Sequence, residues 1–169
     1  MIYTSTLPSP LGDITAAAAE SKLIGLWFVG QKYYPAKTAT WTGKPDHPVF
    51  VKLCAWLDAY FAGKKQLPAL PLEPRGTDFQ REVWKILLDI PLGQVSTYGN
   101  IAAQMARARG LKAVSARAVG GAVGRNPISL VIPCHRVIGA NKNLTGYAGG
   151  LDKKTALLRL EGVDLNSAF

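Results

Sequence analysis

The sequence predicts a mixed fold of the α/β (α+β) class, in which a small antiparallel sheet with one helix precedes a mainly helical half. Short apolar segments with strand character fill the first thirty residues, whereas segments with helix caps and helical periodicity dominate after Thr77. Prolines at positions 68, 71 and 74 interrupt the chain between these regions. We therefore expect an N-terminal α/β domain over residues 1–74 and a C-terminal domain over residues 75–169.

The charge balance favours a polyanionic partner. Twenty Lys and Arg residues stand against eleven Asp and Glu residues, which gives a formal net charge of +9. Nucleic acid is the first candidate partner, although many basic proteins bind none. The hydrophobic fraction of 48% indicates a globular chain.

Neither an export signal nor a membrane span is expected. The sequence has no apolar run long enough for a span, and Met1–Pro8 lacks a basic stretch that leads into a hydrophobic one. Two cysteines, Cys54 and Cys134, are too few for a disulfide scaffold, although a single bridge stays open on count alone. We expect a reduced, cytoplasmic monomer.

In the N-terminal half, three strand-like segments are expected to form an antiparallel meander: Ile2–Leu7, Asp13–Ala19 and Lys22–Val29. A helix is predicted to begin near Asp46-His47-Pro48, and its apolar residues recur with helical spacing as far as Tyr60. Cys54 falls inside this helix and is assigned to the core. His47 is assigned to helix capping or to the surface.

In the C-terminal half, Thr77 caps a predicted helix that ends at Pro91-Leu92-Gly93. A second helix runs from Tyr98 to about Arg107, and a third from about Ser115 to Gly124. Two short helices that are joined across a glycine in a basic region resemble a helix-turn-helix. The connection between them, Ala106–Val114, is longer than the usual turn of this motif.

The third helix has an unusually bare surface. Gly120, Gly121 and Gly124 lie within it, and each glycine costs up to about 1 kcal/mol relative to alanine. Such a surface allows either a nucleic-acid groove or a neighbouring helix to approach the backbone. Arg117 projects from this helix and Arg125 follows it, so both are suited to phosphates or to insertion into a duplex, unless they are only solvated surface residues.

Cys134 and His135 join a soft nucleophile to the base best suited to neutral pH. The preceding run Ile128–Ile132 is apolar and stops at Pro133, so we predict a buried strand that delivers Cys134 to a cleft. Neighbouring side chains on an extended chain point apart, so a bridging water or a sharp turn is needed to couple them. Arg136 adds positive charge. The alternative is that Cys134 is a small buried core residue.

Three further residues lie around this segment. Asn126 and the following proline end the third helix, a role that is sufficient to explain both residues. Tyr147 belongs to a Gly-rich loop, Asn143–Gly150, that is suited to a pocket wall. Glu161 closes a final helix that starts at Asp152, where a carboxylate opposes the helix dipole. It either orients an imidazole or is a surface residue.

Several motifs occur in order from Phe79 to Gly162. They are Phe79–Trp84, Arg117-Ala118-Val119-Gly120, Asn126-Pro127, Pro133–Val137, Gly146–Gly150 and Leu157–Gly162. With them the chain resembles the O6-alkylguanine-DNA alkyltransferases (methylated-DNA--protein-cysteine methyltransferases), and its N-terminal half fits this family in outline. The resemblance implies irreversible, single-turnover transfer of an alkyl group from O6-alkylguanine, or O4-alkylthymine, in double-stranded DNA to a protein cysteine. It implies no cofactor and no metal.

The resemblance also assigns the reacting groups. Cys134 would be the nucleophile, and His135 would activate it through a water. Glu161 would orient His135, and Asn126 would brace the segment that carries the cysteine.

Contacts with DNA are implied in the same way. The helix with Gly120, Gly121 and Arg125 would enter the minor groove, and Arg117 would fill the vacancy that the extruded nucleotide leaves. Tyr98 would contact the phosphate of the target nucleotide and its extruded base. The main chain of Cys134, Val137 and Ala148 would recognise that base as guanine. Tyr147 would form a wall of the pocket.

Two departures and three rival functions accompany this resemblance. The long connection at 106–115 affects the angle of the helix-turn-helix, and Ala148 stands where some members have Ser. A DNA-binding regulator explains the charge but not Cys134. A cysteine hydrolase explains Cys134, His135 and Glu161 but needs no DNA. A zinc site would require His47, Cys54, Cys134 and His135 together.

Overall fold

The computed structural model describes residues 1–66 and 68–166, which form two compact units. The first unit contains Met1–Arg75 together with Pro127–Val131, and the second contains Gly76–Asn126 together with the described chain from Ile132 onward. Residues 127–131, which the predicted ranges assign to the C-terminal domain, lie in the first unit. The reason is backbone pairing with Leu26, whose N–H donates to Pro127 O at 2.8 Å and whose carbonyl accepts from Ser129 N at 2.9 Å.

A small sheet organises the first unit. Its strands are β1 (Ile2–Leu7), β2 (Ile14–Ala19), β3 (Lys22–Phe28) and β4 (Thr42–Gly43). Their order is β3-β2-β1-β4, and the predicted antiparallel meander of the first three strands is confirmed. The parallel edge strand β4, which pairs with β1, was not predicted from the sequence. Because β2 is central, its alanines at 16 to 18 are fully buried.

Helix α1 (Pro48–Phe61) starts where the sequence predicts. His47 is its N-cap: its Nδ1 accepts from Val49 N at 3.2 Å, and Pro48 takes the first helical position. The imidazole is buried between the rings of Tyr3 and Phe50, so its surface alternative is wrong. Cys54, assigned to the core, is only half-buried.

Helices dominate the second unit. They are α2 (Asp78–Leu88), α3 (Tyr98–Arg109), α4 (Ala116–Gly124) and α5 (Leu151–Leu160). Hydroxyl side chains cap the first three. Thr77, the predicted cap, accepts from Gln80 N, and Thr97 and Ser115 accept from Asn100 N and Ala118 N. The final helix begins at Leu151, one residue before the predicted start. The predicted α+β class is confirmed.

Two contacts fix the elements around Cys134. Trp84 Nε1 on α2 donates to Ala122 O on α4 at 2.8 Å, deep in the core. The short strands β5 (Ser96–Thr97) and β6 (Val137–Ile138) pair in parallel, with Thr97 opposite Ile138. Helix α3 therefore begins beside the chain that follows Cys134.

The predicted strand over Ile128–Ile132 is wrong. Its residues are buried, but the segment turns: Leu130 has a φ of 70°, and Val131 N donates to Ser129 O at 2.8 Å. Ile128 alone within this described segment forms an isolated bridge, with Leu26. An apolar run indicates burial, and burial does not require an extended backbone.

Among the described residues, no helix combines the length and the apolar character that a bilayer span requires.

Candidate active site

Cys134 lies in a turn rather than at the end of a strand. Residues Cys134–Arg136 form a short 3-10 helix that leads into β6, and the thiol residue is 7% exposed. Successive side chains of such a turn diverge by about 120°, less than the roughly 180° of an extended strand. The turn thus removes the geometric objection to cooperation between Cys134 and its neighbour His135.

Glu161 joins His135 to Arg136. Its Oε1 lies 2.7 Å from His135 Nε2, and Arg136 donates from Nε to Oε2 at 2.9 Å and from Nη2 to Oε1 at 2.8 Å. Arg136 Nη1 also donates to Ile90 O at 2.7 Å. Because Glu161 is buried at the C-cap of α5, the alternative that it is a surface residue is wrong.

These contacts determine the protonation of the imidazole. Burial alone would raise the pKa of Glu161, but the hydrogen bonds from His135 and Arg136 prevail and lower it to about 2. Burial lowers the pKa of His135, more than Glu161 raises it. At neutral pH a neutral imidazole therefore donates its Nε2 proton to a carboxylate. Nδ1 then carries a lone pair, and it is buried with no hydrogen-bond partner in the described chain.

The thiol itself is held in its protonated form. Burial raises the pKa of Cys134, while a hydrogen bond with the Asn126 side chain and the charge of Lys154 act in the opposite direction. Asn126 is buried, and its Nδ2 donates to Ile132 O at 2.8 Å. Asn126 thus contacts the chain two residues before the cysteine as well as the thiol. A base must remove the thiol proton before the sulfur can react.

Tyr98 and the Gly-rich loop lie together. Tyr98 donates from its hydroxyl to Thr145 O at 3.2 Å, and burial raises its pKa, so the hydroxyl stays protonated at neutral pH. A Cβ at Gly120 would stand 3.7 Å from the Tyr98 ring, and one at Gly146 would stand 3.9 Å from its hydroxyl. Next in the loop, Tyr147 and Ala148 are half-buried, and Val137 is fully buried in β6.

Helix α4 presents a bare outer face. Its residues Val119, Ala122 and Val123 are buried, whereas Arg117 and Gly121 are exposed, as is Arg125 at its end. A Cβ added at Gly121 or Gly124 would meet nothing within 4 Å. Packing within the described chain therefore does not explain these two glycines, and the open alternative is that an external surface approaches them.

Two charged residues near Cys134 make contacts that were not predicted from the sequence. Arg136 was expected to supply positive charge to Cys134, but its guanidinium pairs with Glu161. Lys154 was not singled out, although it is fully buried. A signal existed: Lys154, Leu157, Leu158 and Glu161 follow the i, i+3, i+4, i+7 spacing of one helix face, so two charges interrupt an apolar stripe.

No group of three or more His, Cys, Asp and Glu side chains in the described chain could hold a metal ion. His47 and Cys54 belong to the first unit, whereas Cys134 and His135 belong to the second.

Two family models match this chain. Residues 2–74 match the family model described as 6-O-methylguanine DNA methyltransferase, ribonuclease-like domain, and residues 78–163 match the one described as its DNA binding domain.

Methylated-DNA--protein-cysteine methyltransferase of Mycobacterium tuberculosis is 48% identical over 161 residues, covering 95% of this chain and 93% of that protein. The protein of the same name from Haemophilus influenzae is 40% identical over 163 residues, 96% of this chain and 87% of that protein. The crystal structure of Mycobacterium tuberculosis OGT in complex with DNA has a TM-score of 0.83 and 44% identity, covering 94% of this chain and 92% of that chain. The family resemblance of the sequence is confirmed, and the chain belongs to the 6-O-methylguanine DNA methyltransferase family.

Proposed function

We propose that this protein repairs alkylated guanine in duplex DNA by transferring the alkyl group from O6 to Cys134. One observation carries the proposal: the imidazole next to Cys134 is tied to the Glu161 carboxylate at 2.7 Å, which leaves its buried Nδ1 without a partner in the described chain. Such a nitrogen is suited to take a proton from the thiol, directly or through one water.

The reaction is a displacement at carbon. His135 takes the thiol proton, and the thiolate sulfur attacks the alkyl carbon. The new S–C bond forms as the C–O6 bond breaks, and the bonding electron pair passes to the guanine. The guanine then takes up one proton, so the products are unmodified guanine and an S-alkylated Cys134. Glu161 orients the imidazole and stabilises its charged form during the transfer.

The product form of the protein is inactive. A thioether is not hydrolysed under mild conditions, and the other cysteine, Cys54, belongs to the first unit, whereas Cys134 belongs to the second. Each molecule therefore acts once.

DNA binding is assigned to the exposed face of α4. Glycines at 121 and 124 leave room for a groove to approach, and Arg117 and Arg125 supply charge. The structure of a relative in complex with DNA supports DNA binding as such. The target nucleotide must leave the stack to reach a buried sulfur. Arg117 occupies the vacancy, and Tyr98 contacts the extruded base, which lies against Tyr147, Ala148 and Val137.

The two predicted domains have different functions in this proposal. We assign alkyl acceptance and DNA binding to residues 75–169 and a supporting role to residues 1–74. We also place the protein in the cytoplasm, because a free reactive thiol persists in a reducing compartment. O4-alkylthymine is a second substrate in this proposal.

The deciding experiment uses a duplex with a single O6-methylguanine. We expect one methyl group per protein molecule on the peptide that contains Cys134, and guanine in the recovered DNA. Cys134→Ala should bind the same duplex without accepting methyl. Repeated turnover would favour a hydrolase, and tight binding of the intact protein without modification would favour a regulator; either result overturns the proposal.

A further inference from the structure

The proposed mechanism gives no role to the turn between α2 and β5, although this turn contacts the residues that hold His135. We call residues 90–93 the 90–93 turn. Gln94 N donates to Pro91 O at 3.1 Å and closes it. Gly93 stands at the third position of this hydrogen-bonded turn with a φ of 85°, which is typical of glycine in a type II turn.

The first residue of the 90–93 turn holds Arg136. Ile90 is buried, and its carbonyl accepts from Arg136 Nη1 at 2.7 Å. Nε and Nη2 of the same guanidinium donate to the Glu161 carboxylate at 2.9 and 2.8 Å. Because a guanidinium is planar and rigid, the Ile90 carbonyl helps to fix the plane in which Arg136 meets Glu161.

The last residue of the 90–93 turn lies against the backbone of Glu161. A Cβ added at Gly93 would stand 3.3 Å from Glu161 O, which is closer than ordinary van der Waals contact. Apart from the chain neighbours of Gly93, no other heavy atom of the described chain lies within 4 Å of that Cβ position. Gly93 is otherwise exposed. Contact with Glu161 is therefore the steric reason, within the described chain, for the absence of a side chain at this position.

Both contacts act on the hydrogen bond that orients the imidazole. Glu161 Oε1 lies 2.7 Å from His135 Nε2, and both side chains are buried. Gly93 limits where the main chain of Glu161 can lie, and Ile90 limits where its partner Arg136 can lie. Groups that support a reacting centre must be held within about 0.5 Å of the productive geometry. The 90–93 turn is thus placed to set the orientation of the base.

We propose that Gly93 is a positioning residue for alkyl transfer: it lets the 90–93 turn pack against Glu161, and the turn thereby holds the carboxylate that orients His135. This inference rests on the proposed function of Cys134 and His135. It adds a requirement at an exposed turn that the direct contacts of the imidazole do not contain.

The test compares Gly93→Ala with Gly63→Ala. Gly63 is a matched control because it is also exposed and has a φ of 80°, but a Cβ added there would meet nothing within 4 Å. The two variants therefore share the strain of a left-handed alanine and differ in the contact with Glu161. Gly93→Asn and Gly63→Asn form a second pair, in which the strain is smaller because asparagine tolerates this conformation. The second pair keeps the test decisive if the first does not fold.

Two readouts are used. The maximal single-turnover rate with free O6-benzylguanine reports the chemical step without DNA. The 15N shifts of the imidazole nitrogens report tautomer and hydrogen bonding. The chain has two histidines, so His47 serves as an internal reference in every variant.

We expect Gly93→Ala and Gly93→Asn to lower the maximal rate by about 3- to 10-fold and to shift the nitrogen resonances of His135 but not those of His47. The Gly63 variants should keep the wild-type rate and the wild-type His135 resonances, although they lose stability by a similar amount.

A wild-type rate or unshifted His135 resonances in the folded Gly93 variants would overturn the inference, as would equal losses of rate in the Gly63 variants. Methyl transfer to Cys134 in the wild-type protein would still support the proposed function in each of these cases. Absence of that transfer would instead contradict the proposed function itself.

Discussion

Glu161 contacts both the imidazole of His135 and the guanidinium of Arg136. It accepts from His135 and twice from Arg136, and all of these atoms are buried or nearly so. Removing the charge of a buried partner leaves the other partner uncompensated. A conservative substitution at this carboxylate should therefore affect both the chemistry and the stability.

Glu161→Gln should slow methyl transfer by about 10²- to 10⁴-fold, because the neutral amide does not stabilise a protonated imidazole. It should also lower the free energy of unfolding by about 3–5 kcal/mol, since Arg136 loses its anion. Rapid-quench kinetics and urea titration measure the two effects. Glu82→Gln is the matched control: Glu82 pairs with Arg109 near the surface, and its loss should change stability by less than about 1 kcal/mol. A wild-type transfer rate in Glu161→Gln would contradict the assigned role.

The free energy of unfolding should fall in acid because Glu161 becomes protonated. The pKa of Glu161 is about 2 in the folded protein, against an ordinary value of 4.5. Its contribution is present above pH 4.5 and is lost as the pH falls toward 2, in total about 3 kcal/mol. Because burial also lowers the pKa of His135, the unfolded chain binds that proton first, and stability begins to decline near pH 6.5.

Urea unfolding at a series of pH values from 7 to about 2.5 tests this dependence. In Glu161→Gln the decline below pH 4.5 should be shallower, because the group that titrates there is gone. An equally steep decline in both proteins would assign the acid sensitivity to other carboxylates.

At the scale of elements, α4 combines an exposed arginine with exposed glycine. Arg117→Ala should reduce the repair rate of duplex DNA by about tenfold or more and leave the reaction with free O6-benzylguanine unchanged, because a free base leaves no vacancy to fill. Parallel single-turnover assays on the two substrates measure the ratio. Equal losses on both substrates would remove the proposed stacking role.

Substitutions at Gly121 on the same helix distinguish an effect on folding from an effect on DNA binding. Gly121→Ala should raise the free energy of unfolding by about 0.5–1 kcal/mol, since alanine is the better helix former and its Cβ meets nothing within 4 Å. Gly121→Leu should fold equally well but weaken duplex binding, which fluorescence anisotropy measures. Unchanged affinity in Gly121→Leu would mean that DNA does not approach this face.

At the scale of the whole molecule, the formal charge of +9 favours binding to DNA, and the number of phosphates contacted sets the dependence of binding on salt. Each phosphate contact should contribute about −0.9 to the slope of log K against log salt concentration. Arg107 in the last turn of α3 and Lys112 in the connection to α4 are both exposed and lie close to Arg117 in sequence. The double variant Arg107→Ala, Lys112→Ala should make the slope shallower by up to about 2.

Lys64→Ala, Lys65→Ala is the matched control for that charge change, because both lysines are exposed and lie in the first unit. Its slope should stay at the wild-type value. If the two double variants changed the slope equally, the effect would belong to net charge and not to contacts made by Arg107 and Lys112.

Sequence by itself determined the chemistry and much of the local structure. Thr77 was recognised as a cap because its hydroxyl bonds an N–H three residues along the chain, a contact that depends on few other residues. Thr97 and Ser115 make the same contact at helix starts that the sequence indicated. Cys134 and His135 were chosen as candidates because thiol and imidazole carry reactivity in any fold, and the ordered motifs identified the family.

Tertiary structure decided which charges meet. Arg136 contacts Glu161 across 25 residues of sequence and Ile90 across 46, and Lys154 contacts Val137 across 17. Such pairings depend on how helices and turns pack, and no local pattern encodes them. The turn at Leu130 is another example, since the same apolar residues would be buried in a strand. Residue type thus fixed what the groups can do, and packing fixed which groups do it together.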